Sequence, residues 1–184
     1  MKNKNIILGV TGSIAAYRAA DVANSLTKDG YNVNVIMTKG ATAFVTPLTF
    51  QTLSKNRVCT DVFEQGNPAE VAHIAMAKRA GLLLIAPASA DVIGKIAGGI
   101  ADDMLTSTVL AVHGIPRLIA PSMNTYMYLN PAVQENLRRL KKYGYEIIEP
   151  KEARLACGDV GKGALADVKD IVAAAESHIS QADY

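Results

Sequence analysis

Apolar residues along the chain alternate between two patterns. Short unbroken runs occur at Asn5–Val10 (NIILGV), Leu82–Ala86 (LLLIA) and Pro116–Ala120 (PRLIA), with a mixed run at Asn32–Thr38 (NVNVIMT) and a last one at Tyr145–Ile148. Each has strand length, and a run apolar on both faces predicts the interior of a parallel sheet. Between them apolar residues recur at helical spacing. Ile14–Lys28 carries Ala15, Ala16, Ala19, Ala20, Ala23 and Leu26 and is closed by Gly30. Further helices are predicted at Pro47–Ser54, Ala69–Ala80, Asp91–Gly98, Asp102–Val112, Pro131–Tyr143 and Asp167 to about Ile179, with Asp167 as N-cap of the last. Val58–Phe63 reads as an edge strand or loop. The stretch from Arg154 to Gly163 (RLACGDVGKG) reads as a glycine-rich loop.

Strand and helix patterns that alternate throughout specify βαβ units, hence an α/β fold with a doubly wound parallel sheet. The 184 residues suit a single domain, 1–184, without repeat, low-complexity segment or linker. In such folds ligands bind beyond the carboxyl ends of the strands. Four strand ends therefore matter as a set: Thr11-Gly12-Ser13-Ile14, Thr38-Lys39-Gly40, Pro87-Ala88-Ser89-Ala90-Asp91 and Pro121-Ser122-Met123-Asn124. They are rich in hydroxyls and small residues at predicted helix starts.

Composition narrows the ligand class. A net charge of +2 offers no reason to expect nucleic acid or an anionic membrane as partner, and no run approaches the length of a membrane span. The polar N-terminus lacks the shape of a secretory signal. Two cysteines, Cys59 and Cys157, without CxxC spacing argue against zinc or a disulfide framework, so a reducing cytoplasmic location is expected. At a helix start, free N–H groups and the positive dipole end favour a phosphate; Gly12 permits close approach and Ser13 adds a donor. The alternative is that Gly12 and Ser13 only make a turn and a cap. The spacing is not GxGxxG, and Thr38-Lys39 stands where a ribose-binding carboxylate would be expected. A mononucleotide such as FMN suits this rim better than NAD.

Four stretches carry a resemblance to a known family: Gly12–Tyr17 (GSIAAY), Pro87–Asp91 (PASAD), Pro121–Tyr128 (PSMNTYMY) and Leu155–Gly163 (LACGDVGKG). They resemble, in order, the flavin-phosphate turn, the PASAN-type motif, the PxMNxxMW motif and the substrate clamp of the homo-oligomeric flavin-containing cysteine decarboxylases, especially their coenzyme A branch. The fold this implies is a Rossmann-like, flavodoxin-type three-layer sandwich. The implied cofactor is FMN, held by Gly12, Ser13, Ile14, Thr38, Ala88, Ser89, Ala90, Asp91 and Met123. The implied substrate is 4'-phosphopantothenoylcysteine, bound by Asn124, Ala156, Cys157, Gly158 and Lys162 and converted to 4'-phosphopantetheine. The implied assembly is a homotrimer, or trimers assembled into a dodecamer. The chain departs from the pattern at Asp91 (Asn in relatives), Tyr128 (Trp) and Ala164-Leu165 (Arg-Met); Lys162 is the cation nearest in sequence to the missing arginine.

The resemblance implies oxidation of the thiol-bearing carbon to a thioaldehyde, loss of CO2 to an enethiolate, and re-reduction by the cofactor. His73 is the expected base and Asn124 the expected holder of the carboxylate, although Asn124 also suits an Asx turn or helix cap. Cys157 is expected to protonate the enethiolate, with the glycines at 158, 161 and 163 permitting a mobile lid. His113, His178 and Cys59 are expected to be structural. The alternatives on this architecture are a flavin prenyltransferase, a peptidyl-cysteine decarboxylase, a non-catalytic flavin-binding regulatory subunit, or a generic nucleotide-binding oxidoreductase. With no ligase domain after Tyr184, the neighbouring pathway activity is expected on another polypeptide.

Overall fold

A computed structural model of the chain describes residues 4–63, 71–154 and 160–181. The apolar runs become five parallel strands: β1 (Asn5–Val10), β2 (Asn32–Met37), β3 (Leu82–Ala88), β4 (Arg117–Pro121) and β5 (Tyr145–Ile147). They pair in the order β2-β1-β3-β4-β5. This is the flavodoxin order, whose direction reverses between β1 and β3. The register runs in step, Leu8 facing Val35 on one side and Leu84 on the other.

Adjacent strand residues point to opposite faces, and both faces are covered. On one face Ile6, Leu8 and Leu84 pack under α1 (Ala16–Lys28), α3 (Pro47–Ser54) and α9 (Val168–Gln181), through residues such as Ala19, Leu26, Phe50 and Ile171. On the other, Ile7, Leu83 and Ile85 pack under α4 (Ala72–Arg79), α5 (Ala90–Gly98), α6 (Met104–Ala111) and α8 (Pro131–Lys142). This two-sided burial is why β3 is buried at all seven positions. Truncating one of its leucines to alanine costs about 2–5 kcal/mol. Two shorter helices sit at strand ends: α2 (Lys39–Thr42) after β2 and α7 (Thr125–Leu129) after β4. No helix among the described residues is long and apolar enough to cross a membrane.

The chain differs from its sequence pattern in four places. The predicted loop after β5 holds an antiparallel pair, β6 (Lys151–Arg154) and β7 (Val160–Ala164), outside the main sheet. Neither strand alternates apolar and polar residues, so periodicity had nothing to report. Helix α7 lies inside the Met-Asn stretch and is too short to show a period. Val58–Phe63 contributes one parallel bridge, Cys59 to Ile36. The carboxylate of Asp167, expected as an N-cap, pairs with Lys151, while its main-chain oxygen accepts from Asp170 and Ile171.

Candidate functional site

Three connections at the carboxyl edge of the sheet are tied by short polar side chains. Thr11, fully buried, donates from Oγ1 to the Pro87 carbonyl at 2.7 Å and accepts from the Ser89 N–H at 2.8 Å. It thereby locks the β1–α1 turn to the β3–α5 turn. Thr38 caps α2 by accepting from Ala41 N–H at 3.3 Å, and Ser89 caps α5 by accepting from Val92 N–H at 3.4 Å. The Ser13 hydroxyl accepts from Ala15 N–H at 3.2 Å and lies 3.1 Å from that of Ser122. At the β1–α1 and β2–α2 turns two glycines face each other. A Cβ on Gly12 would lie 3.1 Å from the Gly40 Cα, and one on Gly40 would lie 3.2 Å from the Gly12 Cα.

Above this edge opens a cavity of about 910 Å³. It lies at the point where strand order reverses, the place where α/β sheets take ligands. Of the residues singled out from sequence, Gly12, Ser13, Ile14 and Thr38 line it from the first two strand ends. Ser89, Ala90 and Asp91 line it from α5, and Met123 and Asn124 from the end of β4. Ala88 is shut inside β3, with no exposed surface, and does not line it. Asn124 caps α7, its Oδ1 accepting from Tyr126 N–H at 2.8 Å.

The walls carry cations that sequence reasoning passed over. Arg18, Lys39 and Lys151 line the cavity, as do Phe44 and Gly40. Lys39 and Gly40 lay in plain view beside Thr38; Lys151 arrives on the hairpin that periodicity missed. Lys151 pairs with Asp167, whose carboxyl is held below its ordinary range chiefly by that hydrogen bond. The charge of Asp91 is met on its own helix, where Lys95 Nζ lies 3.5 Å away and also 3.0 Å from Asp102. The Asp102 hydrogen bond is the main reason the Lys95 ammonium is pushed above its usual value.

Of the remaining sequence candidates, Gly163 lines the cavity, while His73 and Lys162 lie elsewhere. His73 sits on α4 and does not line this cavity; its Nδ1 is buried without a hydrogen-bond partner among the described residues. Lys162, on β7, likewise does not line it and pairs with Glu149. Gly161 and Gly163 sit in the paired strand β7, packed against the Met-Asn segment. A Cβ on Gly161 would meet Thr125 Oγ1 at 2.7 Å, and one on Gly163 would meet the Met123 carbonyl oxygen at 2.4 Å. Ala156, Cys157 and Gly158 lie outside the described residues.

Strand order, a capped and glycine-faced rim, and a cavity at the switch point define an α/β nucleotide-binding protein of flavodoxin topology. The chain belongs to the Flavoprotein family, whose model matches residues 1–180. It is 51% identical over 177 residues to a probable phosphopantothenoylcysteine decarboxylase of Streptococcus mutans, covering 96% of this chain and 99% of the relative. It is 50% identical over 181 residues to the coenzyme A biosynthesis bifunctional protein CoaBC of Bacillus subtilis, covering 98% of this chain but 44% of that protein. The chain thus spans less than half the length of the bifunctional relative. Among solved structures it resembles the FMN-dependent cysteine decarboxylase SpaF, with TM-score 0.84, 34% identity and coverage of 98% of this chain and 97% of that one. It also resembles a cysteine-to-serine mutant of PPC decarboxylase complexed with pantothenoylaminoethenethiol, with TM-score 0.84, 32% identity and coverage of 94% and 96%.

The rim fits FMN on its own terms. The absence of a Cβ at Gly12 and Gly40 lets the β1–α1 and β2–α2 turns close on each other where both line the cavity. Ser13, Ile14 and Ala15, which lead into α1, line the cavity, and a helix start suits an anionic phosphate. Cationic Lys39 and Arg18 stand on the same wall.

Proposed function

We propose that this chain decarboxylates 4'-phosphopantothenoylcysteine to 4'-phosphopantetheine in coenzyme A biosynthesis, using FMN, and that one domain does so. The observation that carries this reading is the cavity at the strand switch point, with the glycine-faced rim on one side and Met123-Asn124 on the other. The 51% identity to the Streptococcus mutans relative, over nearly the whole of both chains, supports the substrate.

Gly12, Ser13 and Thr38, with the backbone around Ser89, are the residues that hold the cofactor. When bound, FMN would supply the two-electron redox chemistry the side chains lack, for oxidation of the thiol-bearing carbon and for the later reduction. His73 accepts the proton that leaves the substrate thiol during oxidation. Asn124 holds the substrate carboxylate by its amide, a neutral group that fixes the anion without an ion pair opposing CO2 loss. Once the carbon bears a C=S group, the carboxylate β to it leaves as CO2 and the electron pair passes to the enethiolate. Cys157 then supplies a proton to carbon as the enethiolate is reduced to the saturated thiolate, which takes a second proton to become the thiol. The complex of the cysteine-to-serine PPC decarboxylase mutant with an enethiol supports a cysteine in this second half.

Because His73 lies off the cavity of its own chain, its role calls for a neighbouring copy, which supports a homo-oligomer, a trimer or trimers assembled into a dodecamer. We propose the cytoplasm as its location and neither nucleic acid nor membrane as partner. The test is incubation of the FMN-loaded protein with 4'-phosphopantothenoylcysteine. Release of CO2 and 4'-phosphopantetheine by the wild type is expected, and Cys157→Ser should release CO2 but accumulate the enethiol. Absence of CO2 from the wild type would defeat the reading in favour of the prenyltransferase or regulatory alternatives.

A further inference from the structure

Lys162 stands between two glycines of the clamp stretch, where an anionic substrate would seek a cation, yet its ammonium is engaged elsewhere. Its Nζ lies 2.8 Å from Glu149 Oε2 and 5.6 Å from the centre of the Tyr128 ring. The same Glu149 oxygen accepts from the Tyr128 hydroxyl at 3.0 Å, and Oε1 accepts from Lys141 Nζ at 3.5 Å. Three elements therefore meet on one carboxylate: α7 through Tyr128, α8 through Lys141 and β7 through Lys162. Tyr128 is 5% exposed, and its main-chain oxygen accepts from Gln134 Nε2 at 2.6 Å, so it is a fixed post rather than a swinging side chain.

The segment that carries Met123 and Asn124 to the cavity is bound to β7 at both of its ends. At one end the Met123 N–H donates to the Gly163 carbonyl at 2.9 Å, with Gly161 packed against Thr125. At the other end Tyr128 reaches Lys162 through Glu149. Glu149 holds its charge well, its carboxyl lying below the usual range chiefly because of the Lys162 hydrogen bond.

We propose that Glu149 is a positioning residue: with Tyr128 and Lys162 it pins β7 to the Met123–Tyr128 segment and so sets where Asn124 meets substrate, and Lys162 serves this tie rather than binding the substrate anion. The proposal deepens the function proposed above and rests on it for the identity of the substrate. It makes Lys162 and Glu149 one unit. Removing either breaks the same tie, so removing both costs no more than removing one.

The test compares Glu149→Gln, Lys162→Met, Tyr128→Phe and the Glu149→Gln/Lys162→Met double variant, all FMN-loaded. Each of the first two should lower kcat/KM for 4'-phosphopantothenoylcysteine by about tenfold, the double variant no further, and Tyr128→Phe by about threefold, with FMN affinity unchanged. If Lys162 held the substrate directly, Glu149→Gln would release it and leave KM unchanged or lower, while Lys162→Met alone would raise KM; that pattern overturns the proposal. Hydrogen exchange without substrate gives an independent reading. The Met123 amide should exchange about tenfold faster in Glu149→Gln while the Ala41 amide on the cofactor rim does not change. Unaltered Met123 exchange also overturns the proposal. A wild type that makes no CO2 sinks the functional reading instead, and the exchange comparison still judges the tie. Glu149 is half-exposed, so its replacement is tolerable to the fold; should it nonetheless fail to fold, Tyr128→Phe and Lys162→Met decide by the same two measurements.

Discussion

The two walls of the cavity are built by different physics. On the cofactor side, strand ends are joined by buried hydroxyls and by glycines in backbone contact: Thr11 bridges Pro87 and Ser89, and Gly12 lies against Gly40. On the substrate side, a two-stranded hairpin lies off the sheet. It is held by a main-chain bond from Met123 to Gly163 and by ion pairs whose partners are 36–51% exposed. Water competes poorly for the first set and well for the second. The cofactor side is therefore preformed, and the substrate side is adjustable by charge.

Variants that break this contrast should rank as follows. The largest effect is expected from Gly12→Val, whose branched side chain has no room against the Gly40 backbone. FMN affinity should fall by at least about 100-fold, read by flavin fluorescence quenching, with about 1–3 kcal/mol of stability lost to overpacking. Gly163→Ala places a Cβ against the Met123 carbonyl at a backbone φ of 151°. Turnover should fall by about 30-fold, with about 2–3 kcal/mol of strain, while FMN still binds. Loss of FMN binding in this variant would erase the distinction between the walls. Thr11→Val keeps the shape but orphans the Ser89 N–H and the Pro87 carbonyl, costing about 1–3 kcal/mol, read as a fall in Tm.

Asn124→Asp separates capping from recognition. Aspartate caps α7 as well as asparagine, so Tm should shift by less than about 2 °C. A second anion facing the substrate carboxylate should raise KM about tenfold. The smallest effect concerns acid. Because the folded protein depresses the Glu149 carboxyl, its ion pair stabilises above the ordinary carboxylate value and is lost as pH falls through the lowered one. The stability difference between wild type and Glu149→Gln, below about 1 kcal/mol for so exposed a pair, should be constant above about pH 5 and vanish in acid.

The same contrast explains what could be read from residues alone. Leu82 to Ala86 announces a two-sided strand because every position is apolar, and the rim is legible because glycine and hydroxyl residues cluster after each such run. The hairpin is silent because KEAR and VGKGA have no period, and its ties pair residues well separated in sequence, Glu149 with Lys162 and Tyr128, and Lys151 with Asp167. Lys162 draws notice from its place beside the clamp glycines, and no sequence pattern discloses its ion pair with Glu149. The sequence leaves Asn124 open as a helix cap or a holder of the substrate carboxylate; its Oδ1 caps α7, and the residue lines the cavity. His73 lies on α4 away from the cavity, and local periodicity does not encode where one helix falls relative to a cavity built from other elements.

The face-to-face glycines also constrain how this chain can change over generations. A methyl group at position 12 or 40 is crowded only because the other residue brings its backbone so near. A randomised library that varies one of them while holding its counterpart should return glycine and, more rarely, alanine, and no branched residue. Tolerance at either site requires the two turns to move apart, and that shift would reshape the cavity rim they share before any new side chain arrived.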